Sequence, residues 1–228
     1  AVVSDYPQVG GACTHWATIP SKALRHSVKQ IMAFNTNPMF RDFGDTRKLS
    51  FQQIMTHADR VVYEQVRMRS DFYERNTIPV FTGKASFVDG STIKLQGKRK
   101  KLSADNFIIA TGSRPYRPPV VNFDHPRMFD SDTILTLDHS PRKVTVIGAG
   151  VIGCEYASIF GGLGAKVELI NPSSSLLNFL DTEISDALSY HLRNVGVRSR
   201  HGEEFSEIEY RDDSIVTYLQ SGKKIKSD

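Results

Sequence analysis

A glycine-rich segment between two apolar runs carries the clearest chemical pattern in the sequence. Residues 148–153 read G-A-G-V-I-G and follow an apolar run at 144–147. A helical run at 154–162 and a second apolar run at 165–170 come next. In a strand, G-x-G-x-x-G, helix, strand unit, the glycines allow a tight turn, close approach of a pyrophosphate and close packing of the helix. The pattern favours dinucleotide binding at the helix N-terminus, over a βα turn that needs glycines only for its shape.

A second segment whose residues could bind a ligand or take part in catalysis lies near the start of the sequence. Residues 9–22 read V-G-G-A-C-T-H-W-A-T-I-P-S-K, and the adjacent glycines permit close approach of the backbone to a ligand. Thr18 is a suitable N-cap for the helix that follows. Lys22 then shares a helix face with Thr18 and projects away from the apolar stripe of Leu24 and Val28.

Periodicity and turn residues indicate alternating helices and short strands around these two segments. The predicted helices are 18–34, 50–75, 154–162 and 181–192, and the predicted strands are 1–3, 80–81, 85–88, 92–95, 101–102, 107–110, 144–147, 165–170, 195–198 and 215–219. The strand at 107–110 is predicted to be buried and to lead into a turn at 111–113, which would place Thr111 at the carboxyl edge of a sheet, where ligands bind in α/β folds.

Composition and cysteine content exclude several classes of protein. The sequence has 228 residues, 39% of them hydrophobic and 24% charged, as expected for a globular protein. No apolar run approaches the roughly 20 residues of a membrane span, so no membrane partner is expected. Its two cysteines, Cys13 and Cys154, give neither a disulfide framework nor a metal-ligand spacing, which fits a reducing, cytoplasmic location.

One basic cluster at 98–101 (K-R-K-K) stands out against the net charge of +4. No aromatic residue is interleaved with it, so we interpret it as a solvated hairpin end and expect no nucleic-acid partner.

Residues 9–22 resemble the active-site segment of the flavin-dependent pyridine nucleotide–disulfide oxidoreductases, G-G-x-C-x-x-x-x-C-x-P-S-K. The matching residues are Gly10, Gly11, Cys13, Pro20, Ser21 and Lys22, whereas the second cysteine position holds Thr18. The segments at 110–116 and 148–160 support the same resemblance, which covers essentially the whole sequence.

The resemblance implies an α/β fold of two Rossmann-like, three-layer domains that bind FAD and NAD(P), with a small antiparallel β-meander. The implied division is a partial FAD-binding domain at 1–118, a connection at 119–140 and a partial NAD(P)-binding domain at 141–228. Both ends are expected to be truncated, and a homodimer is implied through a C-terminal domain that this sequence lacks.

Thr18 also bears on the reaction that the resemblance implies. A single thiol cannot form an internal disulfide and a threonine hydroxyl is not a redox group, so electrons on the flavin need another acceptor. The expected activity is hydride transfer between NADPH and NAD⁺ through FAD, as in the members of the family that exchange hydride between nicotinamide nucleotides. Two alternatives stay open: another NAD(P)H-dependent flavin reductase of the family, or a nucleotide-binding fragment without catalysis. The fragment by itself is expected to be inactive.

The resemblance also implies roles for individual residues. Lys22 is expected near flavin N5, paired with Glu155, although an exposed lysine and a helix-surface glutamate remain the alternative. The implied catalytic residues are Lys22, Glu155, Cys13 and Thr18. The implied cofactor-binding residues are Ser4, Asp5, Val9, Gly10, Gly11, Ala12, Cys13, Lys22, Ala110, Thr111, Gly112, Gly148, Gly150, Val151, Ile152, Gly153, Glu155 and Asn171.

Preference between NAD and NADP stays open at Asn171. NAD-selective relatives have a glutamate at this position, which follows the second nucleotide strand. An asparagine does not repel a 2′-phosphate, but the next residues, P-S-S-S, lack the arginines that grip one.

Overall fold

A computed structural model describes residues 1–43 and 49–228, with side chains described at 1–40 and 49–228. The chain divides into two compact units, each discontinuous in sequence. The first unit comprises Ala1–Pro20 and Asp59–Arg114, and the second comprises Ser21–Ala58 and Pro115–Asp228. The predicted domain division at 118 and 140 stays a prediction.

The helices are α1 (Gly11–His15), α2 (Thr18–Thr36), α3 (Phe51–Arg75), α4 (Val151–Gly162) and α5 (Thr182–Asn194), with short 3₁₀ helices at Pro38–Phe43 and Thr133–Thr136. The strands are β1 (Val2–Ser4), β2 (Val80–Thr82), β3 (Ala85–Asp89), β4 (Thr92–Leu95), β5 (Lys101–Ser103), β6 (Lys143–Ile147), β7 (Lys166–Asn171), β8 (Val197–His201), β9 (Phe205–Tyr210), β10 (Ile215–Leu219) and β11 (Lys224–Ser227).

The first unit contains a parallel pair of strands and an antiparallel meander. Strands β1 and β2 pair in parallel with Val3 opposite Phe81. Strands β3, β4 and β5 pair in sequence order, and the inward residues Ile93 and Leu95 of β4 are buried. The Asp89 carboxylate accepts a hydrogen bond from the Ser91 N–H at 2.9 Å, which closes the turn between β3 and β4.

The second unit is built on a three-stranded parallel sheet in the order β6-β7-β8, with α4 and α5 as the crossovers. Helix α4 covers this sheet with a nearly fully buried face that includes Ala157, Ile159 and Phe160. The Phe160 ring stacks on Phe51 of α3 with ring centroids 5.5 Å apart. A separate antiparallel sheet, β11-β10-β9, follows. The predicted α/β class with Rossmann-type βαβ units is confirmed.

Helix α4 also packs closely against α2. A Cβ atom added at Gly162 would lie 2.4 Å from Val28 Cγ1 and 2.8 Å from Met32 Sδ. Because Gly162 has no side chain, the Val28 and Met32 side chains of α2 can lie against the backbone of α4 at this point. Leu24 and Val28 of α2 are fully buried, as the predicted apolar stripe requires.

The prediction of a buried strand at 107–110 is wrong. These residues pair with no strand among the described residues, and Ile108 and Ile109 are 94% and 72% exposed. An apolar run becomes a strand only where a neighbour completes its hydrogen bonds, and the β1–β2 sheet has just two strands.

Further details differ from the expectations. Strand β9, with the largely polar sequence F-S-E-I-E-Y, and strand β11 were not predicted. The strand predicted at 195–198 begins at Val197 because Gly196, at φ 87°, still belongs to the preceding turn, and it extends to His201. The helical spacing of Phe72 and Ile184 with other apolar residues predicts that both face the core, but each is more than half exposed.

Across the described part of the chain, no helix combines the length and the apolar character needed to cross a bilayer.

Candidate dinucleotide-binding site

The glycine-rich turn joins β6 to α4 at the carboxyl edge of the parallel sheet. Gly148 has φ 99°, a conformation that glycine adopts without strain, and its N–H donates to the Ile170 carbonyl at 3.0 Å. A Cβ atom at Gly153 would lie 1.9 Å from the Gly148 carbonyl oxygen. The predicted tight turn and close helix packing are therefore present.

Gly150 is the open position of the turn. Its φ of −72° suits any residue, and no described atom lies within 4 Å of a Cβ atom built there. This glycine is needed neither for backbone conformation nor for internal packing. A ligand that approaches the backbone is the remaining physical reason for it, and that approach stays a prediction.

The N-terminus of α4 is free to receive an anion. Among the described residues, no side chain caps the helix at Gly150 and no acidic residue lies in its first turn. The first N–H groups of a helix lack partners within the helix and carry partial positive charge. Val151 and Ile152 are more than half exposed, so this end of the helix is accessible.

Cys154 packs behind the turn. It is 4% exposed and its Sγ contacts the Ala149 carbonyl oxygen at 3.4 Å. Burial raises the pKa of the Cys154 thiol, which disfavours the reactive thiolate.

A cavity of about 680 Å³ in the second unit is lined partly by this turn. The glycines 148, 150 and 153 form part of its wall, together with apolar side chains such as Met128 and Ile134. Two buried hydroxyls on the wall, of Thr145 and Tyr156, have no hydrogen-bond partner among the described residues. Burial, followed by the charges of Glu155 and Asp132, raises the pKa of Tyr156 well above its usual value, so this hydroxyl is a neutral donor.

The next strand ends in a buried asparagine. Asn171 is 5% exposed, and its Nδ2 donates to the Ser175 carbonyl at 2.9 Å and lies 3.0 Å from His201 Nδ1. Its Oδ1 accepts the Ser173 N–H at 3.2 Å. His201 was not anticipated, although a correct end for β8 would have placed it beside Asn171 at the same sheet edge.

The Lys22–Glu155 pair expected from the resemblance is formed. Lys22 Nζ on α2 lies 2.6 Å from Glu155 Oε1 on α4, both in the second unit. The Lys22 side chain is 61% exposed and that of Glu155 16%. A half-exposed pair of this kind contributes at most about 1 kcal/mol to stability. A role near flavin N5 stays a prediction.

The glycine pair of the first unit adopts a strained turn that only glycine tolerates easily. Gly10 and Gly11 have φ of 116° and 57°. A Cβ atom at Gly10 would lie 2.5 Å from Thr14 Oγ1, whereas one at Gly11 would meet no described atom within 4 Å. This open backbone fits the close approach of a planar ring or a pyrophosphate. Cys13, in α1, is exposed and has a free thiol.

Of the remaining sequence-predicted residues of the first unit, Ser4, Val9 and Ala12 are half-buried, whereas Asp5, Thr18 and residues 110–112 are exposed. Ser4 Oγ donates to the Tyr6 carbonyl at 3.1 Å, so the hydroxyl shapes its own turn, while the neighbouring Asp5 is exposed. Thr18 begins α2, as expected. Residues 110–112 are exposed, and Gly112 has φ 71° with no described atom within 4 Å of a Cβ atom.

Three features lie at one edge of the parallel sheet: a glycine turn, an open helix N-terminus and a polar strand end. Together they define a dinucleotide-binding α/β protein. Residues 1–228 match the family described as pyridine nucleotide-disulphide oxidoreductase, and the chain belongs to that family. Family membership implies FAD and NAD(P)H as cofactors.

Similar curated proteins are named soluble pyridine nucleotide transhydrogenase. The one from Pseudomonas paraeruginosa is 59% identical over 231 residues, which cover 100% of this chain and 50% of that protein. The one from Yersinia pestis is 57% identical over 231 residues, with the same shares of each chain. The chain thus spans about half the length of these relatives.

Solved structures share the fold at lower identity. LpdA from Mycobacterium tuberculosis superposes with a TM-score of 0.88 at 21% identity, covering 99% of this chain and 50% of that one. The HOCl-induced flavoprotein disulfide reductase RclA from Escherichia coli gives a TM-score of 0.80 at 23% identity, covering 99% and 48%.

Proposed function

We propose that this protein transfers hydride between NADPH and NAD⁺ with FAD as its bound cofactor. The observation that carries the proposal is Thr18 at the position where the disulfide reductases have their second cysteine. The other cysteine in the sequence, Cys154, is buried behind the glycine turn of α4. Within these 228 residues, neither Thr18 nor Cys154 can form a redox disulfide with Cys13, and a second nicotinamide nucleotide is then the simplest electron acceptor. The names of the similar curated proteins support this reading.

The chain's own residues bind and orient the reactants in this proposal. The N–H groups at the start of α4 hold the pyrophosphate of the nicotinamide nucleotide, and Gly150 leaves room for it. The open turn at Gly10 and Gly11 holds the flavin. When bound, FAD supplies the two-electron chemistry that no side chain of the protein can provide.

Lys22 places a positive charge beside the flavin, and Glu155 fixes where that charge lies. The 2.6 Å contact restricts an otherwise flexible four-carbon side chain. A fixed cation at a position where negative charge develops lowers the barrier to reduction.

A dithionite titration of the full-length, flavin-loaded protein tests the proposal directly. We expect two electrons per flavin, because no dithiol is available to store two more. Cys13→Ser should retain most NADPH-to-NAD⁺ transfer. Uptake of four electrons, together with lost transfer in Cys13→Ser, would overturn the proposal. Equal rates with quinones and with NAD⁺ as acceptors would point instead to a general flavin reductase.

The homodimer, the cytoplasmic location and the two-domain division belong to the same proposal. Sedimentation equilibrium of the full-length, flavin-loaded protein measures the first of these, and a monomer would contradict it.

A further inference from the structure

Two strands of the parallel sheet end in polar side chains that face each other. Asn171 is the last residue of β7 and His201 the last residue of β8, and the two are partners in the strand register. The Gly148 N–H donates a hydrogen bond to the Ile170 carbonyl, so the glycine-rich turn lies at the same edge of the sheet as Asn171 and His201. Ligands of open α/β sheets bind outside this edge.

The hydrogen bonds of Asn171 fix the orientation of its amide. The Ser175 carbonyl can only accept, so Nδ2 must face it, and the Ser173 N–H can only donate, so Oδ1 must face that group. The remaining N–H of Nδ2 then points at His201 Nδ1, 3.0 Å away. This Nδ1 must be the acceptor, which leaves the ring proton on Nε2.

The loop after β7 is held by backbone bonds as well. The Gly202 N–H donates to the Ser173 carbonyl at 3.2 Å, and the Glu203 N–H donates to the Asn171 carbonyl at 3.1 Å. Asn171 is buried and its N–H groups are committed to the protein, whereas His201 is exposed. His201, not Asn171, can therefore offer a donor to a ligand at this edge.

The charges around this edge are largely compensated within the protein. The Glu203 carboxylate is bonded by Lys223 and Ser221, which lower its pKa and keep it ionised. Glu168 on β7 accepts from Arg200 Nε at 2.6 Å. Glu203 and Glu168 are thus both paired, so neither is a free carboxylate that would repel a phosphate near His201. Arg200 is paired as well, so it does not require a phosphate as its partner.

We propose that His201 reads the 2′ position of the adenosine ribose in the bound nicotinamide nucleotide, and that Asn171 positions its ring. This assignment rests on the proposed nucleotide binding at the glycine turn. An Nε2–H donor can bond either a 2′-hydroxyl or a 2′-phosphate oxygen. The subsite therefore admits both NAD(H) and NADP(H), which hydride exchange between the two nucleotides requires.

Three mononucleotides isolate the 2′ position, since they differ only there: 2′-deoxy-AMP, 5′-AMP and adenosine 2′,5′-bisphosphate. Their affinities for the flavin-loaded protein are measured by isothermal titration. His201→Ala should leave 2′-deoxy-AMP unchanged and weaken 5′-AMP by about 2- to 10-fold, the value of one neutral hydrogen bond. The bisphosphate should weaken by about 10-fold or more, because its hydrogen bond is charge-assisted. Equal losses for all three, or no loss at all, would overturn the assignment.

Matched variants separate reading of the ligand from simple loss of structure. His201→Gln retains an N–H donor and should recover part of the bisphosphate affinity. Asn171→Ala should weaken the three ligands in the same order, and adding it to His201→Ala should remove no further 2′ contribution. His57→Ala, at an exposed histidine on α3, should bind all three like the wild type. A full additional loss in the double variant would show that Asn171 acts on the ligand independently and would refute its positioning role.

Failure of this inference and failure of the proposed function give different results. If the wild type binds neither NADPH nor 5′-AMP, the nucleotide site itself is wrong and this assignment falls with it. If Gly150→Val abolishes NADPH binding while His201→Ala changes none of the affinities, only the assignment of His201 is refuted.

Discussion

Replacing Gly150 with valine should separate nucleotide binding from folding. Gly150 has φ −72°, and a Cβ atom there would meet no described atom within 4 Å. The protein can accommodate the new side chain, but it would occupy the space through which a pyrophosphate reaches the start of α4. Gly153 provides the matched control, because a Cβ atom there would lie 1.9 Å from the Gly148 carbonyl oxygen.

The two substitutions should affect different quantities: Gly150→Val should weaken NADPH binding, and Gly153→Ala should lower stability. Gly150→Val should cost at least one charge-assisted hydrogen bond to phosphate, which corresponds to about 10- to 150-fold weaker NADPH binding. Its effect on stability should stay within about 1 kcal/mol, since a poorer N-cap is offset by lower entropy of the unfolded chain. Gly153→Ala should destabilise by about 1–3 kcal/mol through overpacking. In a chain of this size that lowers Tm by roughly 2–12 °C.

Isothermal titration with NADPH and thermal unfolding followed by circular dichroism measure the two quantities. We expect Gly150→Val to lose affinity at nearly unchanged Tm, and Gly153→Ala to lose Tm. Unchanged NADPH affinity in Gly150→Val would refute the role assigned to the turn. An equal drop in Tm for both variants would refute the packing argument.

Two further predictions concern charged residues of the second unit. Lys22→Met should slow flavin reduction by NADPH in stopped-flow experiments, whereas Lys29→Met, at an exposed position of the same helix, should not; a wild-type rate for Lys22→Met would remove this residue from the mechanism. Burial alone would raise the pKa of Asp130, but hydrogen bonds from Thr133 and Arg117 outweigh it and lower the pKa. The carboxylate therefore stabilises the fold at any pH above its ordinary pKa. This contribution is lost as the pH falls through the lowered pKa. Asp130→Asn should therefore destabilise by about 1–3 kcal/mol at pH 7, with a smaller difference from wild type at pH 3, and a pH-independent difference would contradict this reasoning.

The nucleotide-binding unit could be predicted from sequence because its signals are local. The apolar runs that became β6 and β7 and the glycines between them specify a strand, turn and helix without reference to distant residues. The motif also assigns Gly150 to ligand approach and Gly153 to close helix packing, and in the structure Gly150 faces open space while Gly153 meets the Gly148 backbone.

The errors share a different physical origin, which is dependence on neighbouring strands. Residues 107–110 have the composition of a buried strand, but no described strand lies beside them to complete the hydrogen bonds. Strand β9 shows the converse, because its polar sequence pairs with β10 over residues from Phe205 to Tyr210. His201 was missed for a related reason, since the register of β8 against β7, and not its own composition, extends that strand to the sheet edge.

Helix α4 connects the features that the proposed reaction requires. It begins at Gly150, where the pyrophosphate is expected, and carries Glu155 five residues later. At a rise of about 1.5 Å per residue, roughly 7–8 Å along the helix axis separate the two positions. Lys22 is held at the second position by its 2.6 Å contact with Glu155. The absence of a side chain at Gly162 lets α2, with Val28, lie directly against the far end of the same helix. Because a helix is stiff over this length, the phosphate-binding end and the lysine charge keep a fixed separation whichever nucleotide binds. An enzyme that passes hydride from one nucleotide to another through a single flavin needs this constancy, since each nucleotide must reach the same flavin beside the same cation.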